Sequence, residues 1–526
     1  MENRPFISPA PPGTIAIVCN SPENANVYKK ALEEIPQNFT ESTERETELN
    51  LFNEDAFRSA IECGFNVLIY PGSDLPSNNQ WLTSAQRALE LCSKLGVKLI
   101  INSPILSYEK KYEERPTFAK GWPASFVSQL MNHPALGGWL IKDEPLYYNW
   151  NEPFYYFTGI VGNTKKNFLH NEANSAGVEL TKIECHDIVS NNFNVISAVD
   201  KQHMIFMNLA ASYGKEWIGS NSSYKAYLDQ YEAVFRPPLW MFDLYPIRSK
   251  IVDGRIDYSV DTYTLEFFLD TFYKKAKESD RPFWAHCLCL AHDTNGASYP
   301  LPTVGMMRFE SFWALALGAQ GIVFWRYKQE YSIIDKPIEN SQCSNDPNNP
   351  TTERTPILNK EVGPLNVYGE KTPIWYYVQQ VITEIKNHNH IFYKCEVLKH
   401  CLCHGSTGNL EGYGALINVT PYGKGVLISH IKTPNFNFVD ENGPAYDKYI
   451  VIVSCDPLQE QKVDLTFKPE PQGHGGATVY KNLFPMVTNW EDVEFDVVEN
   501  PESGTSSTSV KITLKEGGYT VLKDLT

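Results

Sequence analysis

Two adjacent carboxylates, Asp143 and Glu144, follow the apolar run Trp139-Leu140-Ile141 and precede Pro145. Aromatic and β-branched residues favour strands, so the run reads as a buried strand ending in acids. Pro145 lacks an amide donor and biases Glu144 toward extended backbone. Like charges side by side raise one another's pKa, and a protonated acid beside an ionised one is what glycosidic bond cleavage needs. The plain alternative is a solvated Asp-Glu turn.

The elements around these acids repeat. A short β-rich run, Thr14 to Cys19, opens the pattern. A helix ending at Cys63 and Gly64 precedes the strand Asn66 to Tyr70. A second helix, Trp81 to Leu95, stops at Gly96 before the strand Val97 to Asn102. Glycine after the last helical residue is a common C-terminal stop. Each unit has about 30 residues, the size of a βαβ unit. The helix Ala124 to Asn132 leads to the acid-bearing strand, Leu136 to Lys142, and a Tyr- and Asn-rich insertion, Tyr147 to Asn174, follows. Helices are predicted at Glu179–Val189, Tyr224–Phe235, Thr262–Ala276, Met306–Leu317 and Trp375–Lys386. Strands are predicted at His203–Asn208, Leu239–Pro246, Phe283–Leu288 and Gly321–Tyr327.

Eight strands alternating with helices match a TIM (β/α)8 barrel. No G-x-G-x-x-G follows an early strand, so a dinucleotide-binding doubly wound sheet lacks its fingerprint. From about residue 394 helical periodicity stops. Short β runs appear between Gly, Pro, Asn and Asp, the pattern of an antiparallel β-sandwich. The expected division is a catalytic barrel over 1–393 and an accessory β-sandwich over 394–526.

A barrel of this type builds its site from the C-terminal ends of its strands. Those ends supply Tyr70, Asn102, Asp143, Glu144, Asn208, Asp243 with Tyr245, His286, Trp325 and Tyr327. Carboxylates, amides and rings are the groups that grip sugar hydroxyls and ring faces. Each neutral residue also has a structural alternative. Tyr70 and Trp325 could plug the barrel end, the asparagines could cap helices, and His286 could be a satisfied core histidine. Convergence on one rim weighs more than any single member. The rim has no G-x-S-x-G, no P-loop and no metal spacing of His and Cys, so neither cofactor nor metal is expected.

The composition agrees. Of 526 residues, 42% are hydrophobic and 21% charged, which suits a well-cored globular protein. A formal net charge of -16 argues against nucleic acid, whose binding needs a basic face. Aromatics at 13% suit both a large core and sugar stacking. The 11 cysteines include the pairs Cys287/Cys289 and Cys401/Cys403, the second flanked by His400 and His404. A C-x-C pair is a weak zinc signal beside the usual C-x2-4-C, and buried thiols are the default reading. No apolar run is long enough to span a bilayer, and no signal peptide is visible. An exported protein whose signal lies outside this chain is expected, with a cytoplasmic one the alternative.

The runs HPALGGWLIKDEP, FDLYP, RPFWAHCLCLAHD and MMRFESFWALALGAQGIVFWRY together resemble barrel-type glycoside hydrolases. They are most similar to the β-galactosidase-like group, often accompanied by β-sandwich domains. The resemblance covers roughly residues 10–393. It implies a fourth strand ending in Asn-Glu-Pro whose Glu is the acid/base, a position that Glu144 matches, with Asp143 in place of the Asn. It also implies a nucleophilic Glu at the end of strand seven. Here the sequence departs: Phe283 to His292 holds no carboxylate, and Asp293 is the first one reached.

Two arrangements repair this gap. In one, Asp243 supplies the second carboxylate, with separations of ~5 Å for retention and about 6.5–9.5 Å for inversion. In the other, Asp143 and Glu144 form the acidic pair of substrate-assisted N-acetylhexosaminidase barrels. There Asp143 orients the acetamide, Tyr245 bonds its oxygen, and Glu144 protonates the leaving group. Adjacent strand residues face opposite sides, so both acids reach one pocket only where the strand ends or bulges. The expected substrate is a β-linked oligosaccharide or polysaccharide, with Glu144 as proton donor in either arrangement. A catalytically silent carbohydrate-binding barrel is the alternative that the missing strand-seven Glu favours. A lyase or aldolase would need a buried strand-end lysine, and Lys142 is the one near the acids. The long segment Lys328 to Thr372 reads as a lid or subsite wall, with Glu330 a reserve carboxylate.

Overall fold

The computed structural model describes residues 54–71, 78–102, 122–143, 193–211, 221–252, 255–294, 297–328, 331–334, 355–358, 362–366, 369–408, 410–414, 416–440, 443–468, 494–500 and 505–524. The expected first strand (Thr14 to Cys19), the helix Glu179–Val189, the insertion 147–174 and the carboxylates Glu144 and Glu330 lie outside them. The first half alternates helix and strand: α1 (Glu54–Cys63), β1 (Val67–Pro71), α2 (Asn78–Leu95), β2 (Lys98–Asn102), α3 (Trp122–Leu130) and β3 (Leu136–Asp143). The alternation resumes with β4 (Met204–Ala210), α4 (Asn221–Phe235) and β5 (Trp240–Asp243). A hairpin of β6 (Ile247–Val252) and β7 (Arg255–Val260) then precedes α5 (Thr262–Ser279) and β8 (Phe283–Leu288). A second hairpin, β9 (His292–Thr294) and β10 (Ala297–Tyr299), precedes α6 (Val304–Ala316) and β11 (Gly321–Trp325).

Seven of these strands form one parallel sheet in the order β1-β2-β3-β4-β5-β8-β11. Sequential order with a helix between most pairs is the barrel arrangement. The sheet curls. Laid flat, seven strands would hold the edges about 29 Å apart at ~4.8 Å per gap. Phe65, just before β1, instead meets Phe324 of β11 with ring centroids 5.9 Å apart. Side chains alternate accordingly. Val67, Ile100, Leu140, Phe206, Met241 and Val323 share an inner core, whereas Leu68, Leu99, Ile101, Ile205, Phe242 and Phe324 pack outward under the helices. Trp284 fills the inner core opposite Gly321, where a Cβ would stand 2.7 Å from the indole. The glycines expected to stop helices do so in left-handed backbone, with φ of +111° at Gly64 and +74° at Gly96.

After β11 come the hairpin β12 (Tyr331–Ile334) and β13 (Thr355–Leu358), then α7 (Pro373–Asn387) and α8 (Asn389–Phe392). From Glu396 the chain is antiparallel β. The strands are β14 (Glu396–Cys403), β15 (Leu416–Tyr422), β16 (Val426–Asp440), β17 (Gly443–Ser454), β18 (Gln461–Phe467), β19 (Glu494–Asn500), β20 (Thr505–Leu514) and β21 (Tyr519–Asp524). They make two four-stranded sheets, β14-β16-β17-β21 and β15-β18-β20-β19. Ile428, Ile450 and Leu522 of the first share a core with Val419, Leu465 and Ile512 of the second, which is sandwich packing.

The first sheet is buried on its other face too. Leu427, Ile431, Val451, Val453 and Val521 join the core that covers the barrel helices. The α6 residues Phe312 and Trp313 lie in this layer. Phe312 stacks on Tyr519 with centroids 3.5 Å apart, and the Trp313 indole donates to the Ser454 carbonyl at 3.1 Å.

Candidate active site at the barrel mouth

The β5 strand ends at Asp243 rather than continuing to Pro246 as the sequence suggested. The chain turns at Leu244-Tyr245-Pro246 into the β6–β7 hairpin. That hairpin joins β9 and β10 in an antiparallel sheet ordered β7-β6-β10-β9 beyond the ends of β5 and β8. The sequence carries the signals for both hairpins. Asp253-Gly254 and Asn295-Gly296 are turn dipeptides between β-prone runs, the strongest short-range mark of a hairpin.

This small sheet and the barrel ends assemble a ring cluster. Tyr245 stacks on Trp325 at 5.7 Å with 27° between planes and meets Tyr299 edge-on at 5.8 Å. His292 stacks on Tyr299 at 4.4 Å and meets Trp325 edge-on at 4.9 Å. The Arg248 guanidinium lies 5.4 Å from the Tyr299 ring centre. Leu288 completes the apolar seat. Tyr245 and Tyr299 are buried, whereas Trp325 and His292 remain partly exposed. Aromatic faces of this kind form apolar platforms with polar edges. Sequence reading missed Arg248, His292 and Tyr299, because only the hairpins bring them to the rim.

His286 stands behind the rings. Its Nδ1 is 3.2 Å from the Tyr245 hydroxyl, and its Nε2 is buried with no hydrogen-bond partner among the described residues. Burial pulls its pKa from 6.5 down to about 3, so the ring is neutral at neutral pH. By strand alternation, Asn102, Asn208, Asp243, His286 and Trp325 continue the inner-facing series of their strands. Asn208 is buried, and Asn102 and Asp243 are partly exposed.

The acid-bearing strand has an irregularity. Leu140 pairs with Phe206, but Lys142, not Ile141, pairs with Met207, and Asp143 pairs with Asn208. One extra residue on β3 is a β-bulge. In regular register Lys142 would stand opposite Asn208; the bulge brings the Asp143 backbone there instead. Met207 packs on the outer, helix-covered side, so Lys142 is paired there. Tyr70 lies in β1 opposite Ile101. Tyr327 is elsewhere: it is fully buried in the outer core, and its hydroxyl lies 3.0 Å from Ser59 Oγ and accepts from the Trp375 indole at 2.7 Å. The residue position that continues β11 past its end thus packs under α1 and α7, away from the ring cluster.

The residues around the second C-x-C pair separate. Cys403 faces the sandwich core and Cys401 packs against it, whereas His400 Nε2 lies 3.7 Å from Glu266 and 3.9 Å from Asp270 of α5. Alternation along β14 therefore sends the thiols and His400 to opposite faces.

The described residues thus form a curled, seven-stranded parallel α/β sheet of TIM-barrel-like type with aromatic rings at its strand ends, joined to antiparallel sheets that fit a β-sandwich. No family model matches the chain, and no curated protein does. Among solved structures, it is similar to the β-galactosidase of the psychrophilic Marinomonas ef1, at 13% identity and a TM-score of 0.39 over 71% of this chain and 59% of that one. The β-galactosidase of Halorubrum lacusprofundi matches at 14% identity and 0.36, with 71% and 58% covered. This chain therefore spans less than two thirds of the length of either. A glycoside hydrolase family 5 protein from Bacteroides vulgatus matches at 9% identity and 0.39, over 96% of this chain and 90% of that one.

Proposed function

We propose that this chain is a glycoside hydrolase acting on a β-linked glycan, with Glu144 as the proton donor. The observation that carries the reading is the ring cluster: Tyr245 and Trp325 stacked at the barrel mouth, backed by a neutral, buried His286. A pyranose has apolar faces edged by hydroxyls; the rings complement the faces, and Asn102, Asn208 and Asp243, at the inner-facing ends of β2, β4 and β5, are assigned to the hydroxyls. Asp243 is the proposed second carboxylate. The barrel over 1–393 is taken as catalytic and the sandwich over 394–526 as accessory.

A second reading has Asp143 and Glu144 acting together in substrate-assisted cleavage of an N-acetylhexosaminide. That chemistry needs two consecutive acids on one pocket, and the end of β3 at Asp143 favours it, because strand alternation does not bind residues past the last paired one.

The test is a panel of aryl β-glycosides, including N-acetylglucosaminides, assayed with wild type and Glu144→Gln. A positioned general acid contributes about 10²–10⁴ in rate, so the variant should lose at least that on a substrate with a poor leaving group while keeping its melting temperature. Near-full turnover by the variant discards the assignment. Sugar binding in affinity gels with no release by wild type would replace the enzyme with a carbohydrate-binding barrel.

A further inference from the structure

Glu310 is a carboxylate that the proposed chemistry does not use. It sits in the middle of α6, 4% exposed, in a helix buried on nearly every side. Its Oε2 accepts the Leu288 amide at 2.6 Å. Strand geometry explains why that amide needs a partner. Successive amides in a strand point to opposite sides. The Cys289 amide donates to the Trp325 carbonyl of β11 at 2.8 Å, so the Leu288 amide points the other way, toward β5. There β5 has ended: its last partner on β8 is Ala285, opposite Phe242. The carboxyl of Glu310 takes the place of the absent strand. A buried amide left unpaired costs about 1–3 kcal/mol, so the replacement matters.

Leu288 belongs to the ring cluster with Tyr245, Tyr299 and Trp325, and it is the register partner of Trp325. We infer that Glu310 is a positioning residue: from α6 it fastens the open end of β8 and so sets the seat on which Trp325 rests. Its effect on turnover rests on the glycoside hydrolase reading, but its effect on Trp325 does not.

The charge state follows from the surroundings. Burial raises the Glu310 pKa from 4.5 to about 8, opposed by the bonds from Leu288 and the Cys287 thiol. The thiol also donates to the Met307 carbonyl at 3.7 Å, and its own pKa is raised well above 9.0. Ser311 and the Cys289 thiol also act on it, and among the described residues no cation acts on Glu310. The acid is therefore mostly neutral near pH 7 and ionises on the alkaline side.

The test uses the full chain labelled with 5-fluorotryptophan and read by ¹⁹F NMR without substrate. Its 11 tryptophans give separate lines, and the Trp325 line is the one lost in Trp325→Phe. In wild type this line should shift between pH 6 and 9 with a midpoint near 8. Glu310→Gln, which keeps an acceptor but cannot ionise, should hold the low-pH position throughout. Glu310→Leu should displace the line already at pH 6. A wild-type line that does not move, or a midpoint that survives in Glu310→Gln, overturns the inference whether or not any glycoside is cleaved.

Discussion

His286 and Glu310 flank the same strand end, and both are buried in their neutral forms. They pull stability in opposite directions with pH. His286 has a folded pKa below its unfolded value, so its contribution is intact above about pH 6.5 and lost as pH falls through 3. Glu310 has a folded pKa above its unfolded value, so its contribution is intact below about pH 4.5 and lost as pH rises through 8. Between about 4.5 and 6.5 the two slopes cancel, and above that window Glu310 alone acts. Stability measured by urea unfolding should therefore fall from pH 6.5 to 8 in wild type and fall less in Glu310→Gln. At fixed pH, Tyr245→Phe strips His286 of the one bond its ring makes among the described residues and should cost about 1–3 kcal/mol. An unchanged urea midpoint would mean that the Tyr245–His286 bond contributes nothing.

At the scale of elements, β3 is tied to the entry of β4. Near its start, the Trp139 indole and His203 Nδ1 both reach Asp200 Oδ2 at 2.8 Å, while the amides of Gln202 and His203 donate to Oδ1 at 2.9 and 3.1 Å. Burial alone would raise the Asp200 pKa, but these bonds outweigh it and bring the value from 3.8 to about 2. The carboxylate thus joins β3 to the entry of β4, and the bulge lies downstream of this tie. Asp200→Ala leaves the indole and imidazole without their acceptor and should cost about 3–5 kcal/mol. Asp200→Asn should lose less at pH 7, and its deficit should shrink as pH falls from 3.8 toward 2, where the wild-type carboxylate is protonated. Thermal melts across that range check both. Strand position and type were legible here, because runs such as Met204-Ile205-Phe206-Met207 are apolar on both faces. The bulge was not, because it depends on the register between two strands far apart in the chain, where Leu140 and Lys142 meet Phe206 and Met207.

For the whole molecule, the sheet β14-β16-β17-β21 is shared between two cores. Its inner strands are apolar on both faces: Val426, Ile428, Ile450 and Ile452 face the second sheet, and Leu427, Ile431, Val451 and Val453 face the barrel. Ser429 crosses the junction to donate to the Ala316 carbonyl at 2.6 Å. The sandwich therefore covers α6 directly. A chain truncated after Tyr393 would expose Phe312, Trp313 and their neighbours. It should bind hydrophobic dyes, self-associate in size-exclusion chromatography and lose a cooperative melt. A monomeric, cooperatively melting barrel would show that the covering sheet is dispensable. The run Met306 to Leu317 already signals this, since a helix with apolar residues on nearly every side must be covered on most of them.

Local pattern alone determined the strand–helix alternation, the glycine stops, the change to antiparallel β near residue 394 and the strand-end places of Asn102, Asn208, Asp243, His286 and Trp325. These follow from side-chain periods of 2.0 and 3.6, which any stretch carries in its own residues. Tertiary structure decided the rest. It ended β5 at Asp243, brought Tyr299, His292 and Arg248 to the rim on paired hairpins and sent Tyr327 into the outer core. It also turned Glu310 toward the strand end that β5 leaves open. Each of these depends on which amide or ring meets a partner far away in the chain, and periodicity within a segment carries no information about that meeting.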